Sequence, residues 1–113
     1  MPADSARGAG QTPQTVAEIV TFRLAGGTDE ATFLQAARQT EAFVSAAPGF
    51  IFRTLTRGKD GTWTDYILWQ DQKAAEEMAS AFMTEPSVLP FMQAIDPDSV
   101  KMRHETVLWQ MQQ

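Results

Sequence analysis

The sequence predicts an α+β domain in which a four-stranded antiparallel sheet carries two helices on one face. Hydrophobic side chains recur at every second residue in four segments and at steps of three or four residues in two others. Turns that contain Gly or Pro separate these segments. The resulting order is β-α-β-β-α-β, and right-handed crossovers place both helices of such an order on the same side of the sheet. A chain of 113 residues suits one hydrophobic core.

The N-terminal part supplies the first strand and the first helix. Residues 1–14 are small and polar with Gly and Pro, so we expect a mobile leader, followed by a single domain over residues 15–113. Strict alternation over residues 16–24 predicts the first strand. Thr28 is a suitable N-cap for a helix of four or five turns that reaches Ala47, where Pro48-Gly49 ends it.

The middle of the chain predicts a β-hairpin. Phe50–Arg57 is rich in aromatic and β-branched residues, and simple alternation places Phe50 and Phe52 on the same face. The turn signal Gly58–Gly61 leads back into a strand over Thr62–Gln70.

The C-terminal part supplies the second helix and the last strand. Asp71 is suited to cap a helix, and Pro86 interrupts that helix because proline lacks a backbone donor. A shorter helical piece follows and reaches Ile95. The last strand is predicted over Val100–Met111.

Composition excludes several functional classes. The net charge of −5 and the scattered basic residues disfavour nucleic acid as a partner. The chain has no Cys and one His, which excludes disulfides, Cys-based metal sites and a multi-His metal centre within one subunit. No apolar run approaches membrane-spanning length, so we expect a soluble, cytoplasmic protein without membrane contact.

The predicted sheet has apolar side chains on both faces, although the helices cover only one. On the third strand, for example, Trp69 points to one face and Tyr66 and Leu68 to the other. An exposed apolar face is a partner site, and a second copy packed sheet to sheet with two-fold symmetry is the economical solution. We therefore predict a homodimer.

Three features carry a family resemblance: the element order, the segment Pro48-Gly49-Phe50, and the passage Tyr66–Ala75, which runs from a strand-three Trp through a short polar turn into a helix. In these features the chain resembles the dimeric α/β-barrel superfamily. It is most similar there to antibiotic biosynthesis monooxygenase-like domains. The resemblance covers about residues 16–112. It implies a ferredoxin-like fold, a homodimer that forms a barrel, and a ligand pocket between sheet and helices. Some members oxidise polycyclic aromatic molecules with molecular oxygen and no cofactor, and others degrade haem.

The match to the active members is partial. Trp69 stands where those members have a pocket Trp. The chain contains no Asn, so the pocket Asn of quinone-forming and haem-degrading members has no counterpart. Phe91 and Met92 occupy the segment in which haem-degrading members carry a ligating His.

Five residues are candidates for the chemistry. His104 is the predicted catalytic base that takes a proton from a phenolic substrate, because histidine is the residue type most often used for that step; the alternative is a strand histidine bonded to a neighbour. Trp69, Phe82, Met92 and Tyr66 are the predicted substrate-binding residues, with ordinary core or subunit packing as the alternative.

Three charged residues in strands also stand out. Glu18 shares the apolar face of the first strand, where a buried carboxylate needs a partner; Arg103 or His104 on the last strand could supply it, and a pair with His104 would couple a base to the group that orients it. Arg53 and Arg57 share a face of the second strand and could hold an anion, although a solvated surface is the plainer interpretation.

Three functional hypotheses remain open. The first is a cofactor-independent monooxygenase acting on a small hydrophobic or aromatic molecule of the quinol or phenol type. The second is a non-catalytic, ligand-binding or stress-related homodimer, and the third is a structural dimer without a cavity. The sequence shows no dinucleotide fingerprint, phosphate loop or metal-binding helix motif, and we expect no cofactor and no metal.

Overall fold

The computed structural model describes residues 14–113, which form a four-stranded antiparallel sheet in the order β2–β3–β1–β4. The strands are β1 Val16–Phe22, β2 Phe50–Arg57, β3 Trp63–Trp69 and β4 Lys101–Thr106. All three pairings are antiparallel. The predicted fold class is confirmed, whereas the predicted leader lies outside the described residues except for Gln14.

The helices pack on one face of the sheet. They are α1 Glu30–Arg38, α2 Glu41–Ser45, α3 Gln72–Phe82 and α4 Leu89–Gln93, with short 3₁₀ turns at Pro86–Val88 and Pro97–Ser99. The cap at Asp71 is confirmed, because its carboxylate accepts a hydrogen bond of 2.8 Å from the Ala74 backbone N–H. The interruption at Pro86 is confirmed as well, since α3 ends at Phe82 and Pro86 begins a 3₁₀ turn.

The first helical region is broken, so the prediction of one continuous helix was wrong. The Thr40 hydroxyl donates to the Ala37 carbonyl at 2.7 Å, a local bond that competes with the helical pattern between α1 and α2. The predicted N-cap was also wrong by one residue. The N–H of Thr28 is bonded within the preceding turn to Ala25, and the Asp29 side chain caps α1 by accepting from the Thr32 N–H.

The last strand is shorter than predicted and ends at Thr106, not Met111. Its partner β1 begins at Val16, and the final backbone bond runs from the Val107 N–H to the Thr15 carbonyl at 2.9 Å. The following residues therefore have no neighbouring strand among those described, and Leu108 and Trp109 are exposed.

A β-bulge near the start of β2 changes which residues share a face. The register with β3 shifts between Phe50 and Phe52. Phe50 consequently packs edge-on against Trp69 on the helix side, whereas Phe52 stacks on Tyr66 on the opposite side. The prediction that the two phenylalanines share a face was wrong for this reason.

The apolar core on the helix side consists of two clusters. One surrounds Phe33 and Phe22, both at most 2% exposed, and the other surrounds Trp69 and Ala75, both fully buried. Phe82 of α3 packs against both clusters. A third, smaller cluster of Ala17, Ile19 and Leu68 lies on the face of the sheet that no described helix covers.

None of the helices within residues 14–113 has the length and apolar character needed to cross a membrane.

Candidate active site

A row of polar side chains separates the two clusters on the helix side of the sheet. Along β3 that face presents Trp63, Asp65, Ile67 and Trp69, so a carboxylate lies between apolar residues. Glu18 on β1 and Arg53 on β2 reach the same face, and both are register partners of Ile67. We call Glu18, Arg53 and Asp65 the polar row.

Arg53 and Asp65 form a buried, two-pronged ion pair. The Arg53 Nε and Nη2 atoms donate to Oδ1 and Oδ2 of Asp65 at 2.9 and 2.7 Å. The side chains are 14% and 7% exposed. Arg53 Nη1 donates to the Thr40 hydroxyl at 2.8 Å. The break between α1 and α2 therefore shapes the site, because it places the fully buried Thr40 hydroxyl against the Arg53 guanidinium.

Glu18 is held by the indole of Trp69. The Trp69 Nε1 donates to Glu18 Oε1 at 2.8 Å, and Glu18 is 8% exposed. Burial raises the pKa of the Glu18 carboxyl above its ordinary value of 4.5, while the indole hydrogen bond and the charge of His104 act in the opposite direction. A carboxyl group with a raised pKa, fixed at the edge of a cavity, is suited to exchange protons with a ligand.

A cavity of about 280 Å³ lies between the sheet and helices α3 and α4. All three members of the polar row border it, together with Trp69. Its remaining walls are mostly apolar and include Val20, Phe22, Ile67, Phe82, Phe91 and Met92. Met83 and Met102 also line it and are 71% and 51% exposed, so they lie towards its opening and can adapt to a ligand.

The structure brings three of the five predicted site residues to this cavity. Trp69, Phe82 and Met92 line it, and Trp69 is at the same time part of the core. Tyr66 lies on the opposite face of the sheet, stacked on Phe52. His104 is next to the site: it is the register partner of Glu18 on β4, and it is not a lining residue.

His104 connects the site with the surface. Its Nδ1 lies 3.3 Å from Nε2 of the exposed Gln72. Its Nε2 is the only buried side-chain nitrogen or oxygen within residues 14–113 that has no hydrogen-bond partner. The hypothesis that Glu18 and His104 share a face is confirmed, but Trp69 donates the hydrogen bond that Glu18 receives.

The sequence did not reveal the pairing of Arg53 with Asp65. The interpretation of Arg53 as solvated surface was wrong, whereas Arg57 is exposed and pairs with Glu30 at 3.2 Å. One signal was present in the sequence: Asp65 lies on the apolar face of β3, and a carboxylate in that place requires a cationic partner on a neighbouring strand.

A second, more open depression of about 470 Å³ lies between α1, α2 and β2. Arg53 and Val44 border both it and the cavity. Its other residues include the exposed Arg38 and Glu41. The cavity is the better candidate site, because its carboxylates are buried beside apolar walls. Among the described residues, no three His, Asp or Glu side chains gather as a metal site.

No protein-family model matches the chain, and no curated protein sequence matches it significantly.

Solved structures do match along most of the chain. The cofactor-independent oxygenase SnoaB of Streptomyces nogalater is 22% identical, with a TM-score of 0.59 over 88% of this chain and 96% of that one. A protein of Bordetella bronchiseptica assigned to the antibiotic biosynthesis monooxygenases is 16% identical, with a TM-score of 0.70 over 85% of this chain and 99% of its own. The heme-degrading protein of Mycobacterium tuberculosis is 16% identical, with a TM-score of 0.62 over 89% and 99%. This likeness establishes the fold.

Proposed function

We propose that this chain, which has the fold of the antibiotic biosynthesis monooxygenase-like proteins, oxidises a small apolar molecule of the phenol or quinol type with molecular oxygen and without a cofactor. The observation that carries the proposal is the Glu18 carboxyl, buried at the edge of an apolar cavity and held there by the Trp69 indole. The fold shared with SnoaB supports the same reaction class. A cytoplasmic location stays a prediction from the sequence.

The cavity favours a compact aromatic ligand. Its volume of about 280 Å³ is near the lower end of the roughly 300–1,000 Å³ typical of ligand pockets. A molecule of one or two fused rings suits that size. Phe82, Phe91 and Trp69 offer aromatic surface for packing against it.

Glu18 is the group that removes a proton from the bound ligand. Its carboxylate takes the proton from the ligand hydroxyl, and the resulting phenolate carries carbanion character at a ring carbon that still bears a hydrogen. That carbon forms a bond to molecular oxygen, and the resulting peroxide anion takes up a proton to become a hydroperoxide. Loss of water then leaves a carbonyl, so that one oxygen atom enters the product and the other leaves as water.

His104 acts behind Glu18 and not on the ligand. As the cross-strand neighbour of Glu18 it stabilises the carboxylate electrostatically when it is protonated. The contact of its Nδ1 with Gln72 links it to the protein surface. We therefore assign His104 a positioning and proton-exchange role, and Tyr66 no role in this cavity.

Oxygen uptake with a panel of naphthols and hydroquinones tests the proposal. Glu18→Gln should lower the rate by about 10²- to 10⁴-fold, the usual contribution of a general base. His104→Ala should lower it less and should also change the pH profile. Glu105→Gln alters an exposed carboxylate on β4 and is the matched control, with an expected rate equal to that of the wild type. Equal rates for Glu18→Gln and the wild type would remove Glu18 from the mechanism.

A ligand-binding protein without catalysis is the second candidate, favoured by the same mainly apolar walls. Ala79→Phe on α3 fills the cavity and should abolish ligand binding in either case, whereas Ala81→Phe points away from the cavity on the same helix and should leave binding unchanged. Tight binding of aromatic ligands by a wild type that consumes no oxygen would favour this candidate.

We further propose that the chain works as a homodimer. Phe52 is partly exposed on the face of the sheet without helices, and the C-terminal segment carries Leu108 and Trp109 at 89% and 75% exposure. Apolar surface of this kind is usual at interfaces. Sedimentation velocity at micromolar concentration should give a dimer, and deletion of residues 108–113 should weaken it. A stable, soluble monomer of the full chain would contradict the proposal.

A further inference from the structure

We infer that Arg53 is the subsite for the ligand's oxygen, so that the cavity selects hydroxyarenes over hydrocarbons of the same shape. This inference rests on the proposed use of the cavity and goes beyond it by naming the group that is recognised. Three features of Arg53 support it: the number of its N–H donors, the rigid hold of Asp65 and Thr40 on its guanidinium, and the charges around it.

Arg53 has hydrogen-bond donors left over. A guanidinium carries five N–H groups. Two of them donate to the Asp65 carboxylate, through Nε and Nη2, and a third donates from Nη1 to Thr40. One N–H on each terminal nitrogen has no acceptor among the described residues. Arg53 borders the cavity and is only 14% exposed, so an oxygen of a bound ligand is the natural acceptor.

The guanidinium is fixed in place before any ligand arrives. Asp65 holds two of its nitrogens, Thr40 holds the third, and both residues are buried. The Phe91 ring lies 5.2 Å from Arg53 Cζ and restricts it from a further side. A donor that is held in this way loses little conformational entropy when it binds an oxygen atom.

The charges of the polar row favour a neutral hydroxyl that becomes an oxyanion in the site. Asp65 already neutralises Arg53, so a ligand that arrives as an anion finds no excess positive charge. Glu18 borders the same cavity and can accept the hydroxyl proton, while Arg53 donates to the oxygen that loses it. Total charge is conserved in that transfer, because the proton moves from the ligand to Glu18.

The test compares the affinities for 1-naphthol and naphthalene, which differ in one hydroxyl. Hydrogen bonds to a charged group contribute enough to give the wild type a preference for naphthol of about tenfold or more. Replacing only one partner would bury an unpaired charge, so the variant is the double substitution Arg53→Met with Asp65→Leu. It should retain its affinity for naphthalene and lose the preference for naphthol. The matched control is Arg57→Met with Glu30→Leu, an exposed pair with its arginine on the same strand face, which should keep the preference.

A second measurement reports on the charge of the ligand oxygen. With 4-nitrophenol as the probe, the absorbance of the phenolate shows how much of the bound ligand is ionised. The wild type and the control variant should hold more phenolate at pH 7 than the Arg53→Met/Asp65→Leu variant. If Arg53 and Asp65 had a purely structural role, bound 4-nitrophenol would give the same spectrum in the double variant as in the wild type.

The outcomes separate this inference from the proposed function. An unchanged naphthol preference and nitrophenol spectrum in the double variant, with oxygen uptake intact in the wild type, would overturn the subsite only. A lost preference, with no oxygen uptake by the wild type on any substrate, would establish the subsite and overturn the monooxygenase. Failure of the wild type to prefer naphthol over naphthalene would overturn the subsite directly.

Discussion

Removing one partner of the ion pair between Arg53 and Asp65 should cost far more stability than removing one partner of the exposed pair between Arg57 and Glu30. Both prongs of the buried pair are short, at 2.7 and 2.9 Å, and the carboxylate is 7% exposed. Removing one partner leaves the other charge buried without compensation, which typically costs about 3–5 kcal/mol. We expect Asp65→Leu to lower the free energy of unfolding by about that amount.

The double substitution should recover most of the loss. Replacing a buried ion pair by apolar residues of similar size is often close to neutral, and the neighbouring cavity gives the Leu side chain room. We therefore expect a large coupling energy between Arg53 and Asp65. A double-mutant cycle by urea unfolding measures it with Arg53→Met, Asp65→Leu and the combined variant. The corresponding cycle with Arg57→Ala and Glu30→Ala should give about 1 kcal/mol or less, because both side chains are more than half exposed. Equal coupling energies in the two cycles would refute the claim that the polar row is buried and rigid.

Two further predictions concern the backbone and the titration of the site. Gly49 has a φ of +85°, and a Cβ there would lie 2.6 Å from the Ala74 Cβ at the start of α3, so Gly49→Ala should destabilise the protein by more than about 1 kcal/mol in urea unfolding. Gly26→Ala has open space and should change stability little; similar losses at both glycines would contradict the packing argument. For Glu18, a raised pKa means that the native state holds its proton to higher pH than the unfolded chain, so the contribution of Glu18 to stability falls as pH rises above about 4.5. Glu18→Gln should therefore gain stability relative to the wild type between pH 4 and pH 7, and the gain should exceed that of the exposed Glu76→Gln; no difference between the two variants would contradict the raised pKa.

The fold was predictable from sequence because binary patterning and turn residues agree along most of the chain. The two-residue alternation of β1 and β3 and the cap at Asp71 correspond directly to the observed elements. One error arose where a local bond competed with the pattern. Thr40 bonds back to Ala37 and breaks the first helix, and nothing in the period of apolar residues signals that break.

The site was only partly predictable, for a different reason. Periodicity assigns a residue to a face but does not state which strands are neighbours, and contacts across strands decide the chemistry. Trp69, Phe82 and Met92 line the cavity, and their place on the helix side of the sheet followed from the resemblance and from the apolar stripes of the helices. The pairing of Arg53 with Asp65 needed the register of β2 with β3, in which Arg53 lies opposite Ile67 and Asp65 lies opposite Leu55.

The polar row also explains why the domain contains a cavity at all. On the helix face of β1 and β3, apolar residues at the two ends of the strands pack under the helices, and the charged groups lie between them. Desolvating Glu18 fully would cost more than packing a helix against it could return, because a buried charged or polar group is costly without complete compensation. Helix α3 contributes both large and small side chains to the cavity, and the small side chain of Ala79 leaves space in it. The residues that we assign to chemistry are thus the same residues that prevent the core from closing, and a chain with Leu at Glu18, Arg53 and Asp65 should pack more tightly, unfold at higher urea concentration and bind no ligand.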